Sequence, residues 1–71
     1  MEVRDMRGVL IQPGQMVAYP DRRGSTVWLN VAEVINVETE FGVKIQVRKT
    51  HPQPAKLGST LTRPDRIVVI G

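Results

Sequence analysis

Eleven glycines and prolines cut this 71-residue chain into short pieces, and β-branched side chains fill the pieces. Only residues 25–41 form a long stretch free of both breakers. Val and Ile number 16 against 7 for Leu and Ala. Such side chains lose rotamer freedom in a helix and pack well on a pleated surface. Short pieces of this kind predict an all-β chain in one domain, residues 1–71. A chain of this length buries only about 60% of its unfolded surface. Two full sheets are out of reach, so the strands are expected to curl into one small five-stranded barrel.

Along the chain, residues 2–6 read as a weak edge strand, and Arg7-Gly8 and Pro13-Gly14 as turns. A strand is expected over Gln15–Tyr19, stopping at Pro20, followed by a polar, cationic loop over Asp21–Ser25. Residues 25–41 are ambiguous. A helix would align Val27, Val31, Val34 and Ile35, whereas a strand would place Val27, Leu29, Val31, Ile35 and Val37 on one face. Five of the eleven residues 27–37 are Val or Ile, which favours the strand, with a bulge near Ala32-Glu33 to absorb the broken alternation. Glu38–Gly42 reads as a hairpin turn. Val43, Ile45 and Val47 alternate with Lys44, Gln46 and Arg48, an apolar inner face backed by a cationic outer one. Lys49–Gly58 is expected to be a basic extended loop and Ser59–Thr62 a short strand. Pro64-Asp65-Arg66 is expected to be a short 3₁₀ turn, and Ile67–Ile70 a buried last strand.

Pro13-Gly14-Gln15-Met16-Val17-Ala18-Tyr19, then Ala32-Glu33-Val34-Ile35-Asn36-Val37 and Val43-Lys44-Ile45-Gln46-Val47, resemble the KOW and related SH3-like barrels. Ala32 and Gln15 stand where those domains carry Gly and Asp. Arg63-Pro64-Asp65-Arg66 is similar to the 3₁₀ turn before their final strand. Asp5-Met6-Arg7-Gly8, Gly14–Tyr19 and Arg63–Ile70 also resemble small proteins of tailed bacteriophages, especially those infecting actinobacteria. That resemblance implies a phage accessory protein in the bacterial host cytoplasm and implies no chemistry.

Charge is unevenly placed. Residues 1–40 carry net −2 and residues 41–71 net +5, within a total of +3. A basic half on a small β domain points to phosphate-backbone binding. The expected nucleic-acid contacts, to DNA or RNA, are Arg22, Arg23, Lys44, Arg48, Lys49 and Lys56. The opposing reading is that these are ordinary solvated cations. The rival function is a protein–protein module that binds a host or phage protein or pairs with itself. Trp28, on the opposite parity from Val27 and Leu29, is its candidate contact if it faces outward; closing one end of the barrel is the plainer role. Tyr19 and Phe41 are expected in the core or at its rim.

The chain has no Cys, so disulfides, thiolate metal sites and cysteine nucleophiles are excluded. One His, His51 in the Pro-rich loop, makes neither a triad nor a metal site. Glu38 and Glu40 share a strand face or turn, but no second carboxylate pair is spaced for general acid–base work, and no Gly-rich phosphate loop appears. The expectation is a non-enzymatic binding module without cofactor or metal. The longest apolar run is four residues, against about 20 for a membrane-spanning helix, so the chain is expected to be soluble and cytoplasmic.

Overall fold

Residues 2–51 and 53–71 are described in a computed structural model. The β-branched pieces form strands β1 (Met16–Arg23), β2 (Thr26–Glu38), β3 (Lys44–His51), β4 (Ser59–Leu61) and β5 (Val68–Val69). They make one antiparallel sheet in the order β4-β3-β2-β1-β5. A 3₁₀ turn at Pro64–Arg66 precedes β5, and among the described residues no helix is long and apolar enough to cross a membrane.

The core lies on one face of this sheet. Val17, Ala32, Val34, Ile45, Val47 and Val69 point into it from β1, β2, β3 and β5, joined by Ile67 and by Val3 and Ile11 of the N-terminal segment, and the partly buried Leu61 of β4 packs against it. Each fully buried Val or Ile contributes about 1.5–3 kcal/mol. Side chains from β3 and from β5 meet in this single cluster, so the sheet curls over its own inner face. The edge strands β4 and β5 are not paired with each other, and the curled sheet stays open at that seam. A cleft of about 210 Å³ marks it, between Thr60–Arg63 on one side and Tyr19 and Ile67 on the other.

Several expectations are corrected. β1 does not stop at Pro20 but runs on to Arg23, and the cationic loop shrinks to the two-residue turn Gly24-Ser25. Gly24 has φ +61°, the sign that the first position of a type II′ hairpin turn requires. In a two-residue hairpin the closing pair, Arg23 and Thr26, exchanges hydrogen bonds, and exchange then alternates along the ladder. Pro20 therefore falls at a position whose missing N–H would point away from β2. Proline is tolerated in a strand under that condition.

β2 is a strand throughout its bulk and Val37 packs against the core as expected, but N-terminal to the Ile35 bulge its faces are reversed from the expectation. Asn30, Ala32 and Val34 are buried, with Trp28 on the same side, whereas Val27 and Leu29 are each 66% exposed. The bulges lie at Val31/Ala32, where Thr50 is the extra residue on β3, and at Val34/Asn36, where Ile35 is the extra residue on β2. The Ile35 bulge shifts the alternation, so counting back from Val37 lands on the wrong face. β3 continues to His51, placing Lys49 and His51 in a strand rather than a loop; Pro52 lies outside the described residues. Ile67 and Val69 are buried as expected of the last strand, but Ile70 is exposed. Phe41 is 84% exposed and belongs to neither core nor rim.

Candidate binding surface

Three features of the surface can bind something: the cations, an apolar outer face, and the projecting end of the β1–β2 hairpin.

The cations do not gather into one stripe. Lys44 and Arg48 stand on the outer face of β3 as expected, but the register sets Lys44 opposite Glu38 and Arg48 opposite Glu33, with Gln46 opposite Asn36 between them. Directly opposed unlike charges partly cancel in the field that a distant phosphate feels. Lys49 pairs with the buried Ala32, so it shares the inner side of the sheet and is half-buried. Lys56 is exposed in the segment between β3 and β4. Arg22 and Arg23 are exposed at the tip of the β1–β2 hairpin, beside the Gly24-Ser25 turn.

The outer face of β1, β2 and β5 is apolar. Met6, Ala18, Pro20, Leu29, Val68 and Ile70 line an open groove of about 580 Å³, bordered by Asp65 and Arg66. Register explains the grouping: Ala18 lies between Val31 and Val68, and Pro20 lies opposite Leu29. Asp65 and Arg63 form an exposed ion pair at 3.2 Å, which raises the Arg63 pKa and lowers that of Asp65.

The hairpin end projects from the sheet. β5 reaches only Val17 and Ala18 on β1, and β3 reaches only as far as Val31 on β2. Among the described residues, Tyr19–Arg23 and Thr26–Asn30 therefore pair only with each other. A polar cluster stiffens this arm on its inner side. Trp28 Nε1 donates to Asn30 Oδ1 at 2.8 Å, and Asn30 Nδ2 donates to Asp21 Oδ2 at 3.0 Å. Asn30 is only 2% exposed, and these bonds satisfy its amide. Tyr19 lies across from Asn30; burial pushes its phenol pKa up, the Asn30 amide opposes this, and the Asp21 charge raises it further. Trp28 thus occupies the inner side of the arm, half-buried on Asn30.

Sequence reasoning missed a second polar centre. Asp5 is buried, and its Oδ1 accepts from the backbone N–H of Arg7 and of Val9, both at 2.8 Å. Its Oδ2 accepts from the Val69 N–H of β5 at 2.8 Å, while the Arg7 guanidinium donates to the Val69 carbonyl. Desolvation pushes the Asp5 carboxyl up, but the three N–H groups and the Arg7 charge outweigh it and hold the pKa below the ordinary aspartate value. Met6 N–H donates to Ile67 O at 3.0 Å beside this pair. The N-terminal turn therefore occupies the free edge of β5 in place of another strand. The Asp-x-Arg-Gly turn was visible in the sequence, but nothing local marks Val69 as its partner.

Comparison with known proteins matches the chain to no family model, no curated protein and no solved structure.

Proposed function

We propose that this chain is a non-enzymatic binding module of SH3-like build that takes a protein partner on the apolar outer face of β1, β2 and β5. The observation that carries the reading is the grouping of Met6, Leu29 and Ile70, exposed by 60%, 66% and 55%, along one groove. Contiguous apolar surface on a small domain is costly to leave in water and marks an interaction site. The strand order and the 3₁₀ turn before β5 support the SH3-like part of the reading. A tailed-phage accessory protein acting on a host or phage protein in the bacterial cytoplasm is the setting its sequence resemblance suggests.

The test compares the intact chain with a Met6→Lys, Ile70→Lys double variant as immobilised bait in host extract. Both side chains point to solvent, so circular dichroism should show an unchanged fold. A protein retained by the natural chain and lost by the variant is expected. An identical set of retained proteins would sink the reading.

A second reading, nucleic-acid binding, rests on Arg22, Arg23 and Lys56, which are exposed and make no ion pair among the described residues. Lys44, Arg48 and Lys49 would contribute less, for the reasons of register and burial given above. Binding to duplex DNA, single-stranded DNA and RNA should then fall with salt with a log–log slope of about −0.7 to −0.9 per phosphate contacted. No binding to any of the three at low salt removes this reading.

A further inference from the structure

We propose that two copies of this chain pair edge to edge through Thr26–Asn30 of β2, antiparallel about a two-fold axis at Trp28. This goes beyond the outer-face reading, since it uses the backbone rim of the arm, which shares only Leu29 with the groove.

Each strand edge is treated differently. The β5 edge is occupied by Asp5 and Arg7, which take up the N–H and C=O of Val69. The β4 edge is only three residues long. The free edge of β1 in the arm carries Pro20, Asp21, Arg22 and Arg23, and proline and charge both discourage strand addition. The free edge of β2 has neither device. Thr26-Val27-Trp28-Leu29-Asn30 is uncharged, free of proline and rich in strand-forming side chains.

The alternation set by the Arg23–Thr26 closing pair turns the N–H and C=O of Thr26, Trp28 and Asn30 toward β1. Those of Val27 and Leu29 therefore point out of the free edge. The next carbonyl, that of Val31, is already taken by Thr50 Oγ1 at 3.1 Å. An edge with outward amides at Val27 and Leu29 is self-complementary. A two-fold at Trp28 sets Val27 opposite Leu29 of the second copy, and Leu29 opposite Val27, as hydrogen-bonded pairs. The two Trp28 side chains then meet as a close, non-hydrogen-bonded pair, and Thr26 faces Asn30. No like charges are opposed.

Length and surface agree with this occupant. The open edge spans the five residues between the Gly24-Ser25 turn and the point where His51 joins Val31. A symmetric strand of five residues fits that gap, and a longer one would collide with His51. The chain also exposes 5027 Å², whereas a folded monomer of its mass is expected to expose about 4,450 Å². The excess of about 580 Å² lies below the ~800 Å² per partner of a standard interface, at the size of a weak, concentration-dependent pair.

Sedimentation of the full chain over a concentration series should show mass rising from 8.0 kDa to twice that value. Emission from Trp28, the only Trp, should shift over the same range. Val27→Pro removes an outward N–H without touching the β1 ladder, and Val27→Lys places a charge on the edge without touching the groove. Each should weaken pairing at least tenfold while circular dichroism stays unchanged. The Met6→Lys, Ile70→Lys variant should dimerise normally, so loss of the outer-face function and loss of pairing are read separately. A chain that stays at monomer mass through the series overturns the proposal, as does a dimer that survives both edge variants.

Discussion

The two long-range edges of this sheet are handled in opposite ways. At β5 the N-terminal turn brings a buried carboxylate and a guanidinium onto the backbone of Val69, so the edge offers nothing to another strand. At the arm, the Thr26–Asn30 stretch of β2 leaves the backbone groups of Val27 and Leu29 open and, among the described residues, without a guarding charge. The difference shows what guarding requires. A two-residue strand such as β5 gains little from its own ladder, and the Asp5–Arg7 turn contributes a substantial share of what holds it. The arm is held internally by its hairpin ladder and by the Trp28–Asn30–Asp21 cluster, so its rim is free for other use.

The guarded edge depends most on Asp5. Asp5→Ala strands the N–H groups of Arg7, Val9 and Val69 and should lower unfolding free energy by about 3 kcal/mol, read from the urea midpoint. Asp5→Asn, which keeps one acceptor oxygen, should recover part of that loss.

pH acts on the same residue. A carboxyl held below its ordinary pKa adds stability that is complete above the unfolded value of about 3.9 and is lost as pH falls through the folded value. The urea midpoint should therefore drop as pH is taken from about 5 to 2. Asp5→Asn should flatten that slope; an equally steep slope in the variant would mean that other carboxylates govern it.

Within the arm, Asn30→Ala leaves the Trp28 N–H without its acceptor and should cost about 1–2 kcal/mol, less than Asp5→Ala because solvent reaches Trp28. The smallest effect belongs to the open rim. Val27→Thr changes an exposed side chain of the same branching and should leave monomer stability within about 0.5 kcal/mol. A large loss there would mean that Val27 supports the fold, and the contrast between guarded and open edges would fail.

The strands were legible in the sequence because Val43, Ile45 and Val47 alternate with polar neighbours and Gly and Pro punctuate the rest. The 3₁₀ turn at Pro64–Arg66 was legible because Pro starts it. What stayed hidden follows from context. Pro20 reads as a stop unless one knows that its N–H side faces an empty edge. The inner face of β2 carries Trp28, Asn30 and Ala32 while Val27 and Leu29 face outward, so hydrophobicity points the wrong way until the Ile35 bulge is placed. The cationic face of β3 was visible, but the carboxylates opposite it come from a register that only pairing with β2 defines. Asp5 reads as a turn residue, and its buried role depends on a chain segment far along the sequence.

That last separation has a temporal side. The Asp5 carboxylate and the Val69 amide are 64 residues apart, so on the ribosome the carboxylate waits, hydrated, until nearly the whole span has been synthesised. Contacts of such separation form late and slowly. A nascent chain stalled before Val69 would keep its N-terminal turn without the β5 partner, so the Asp5 carboxylate can dock only once that backbone N–H has been made and released.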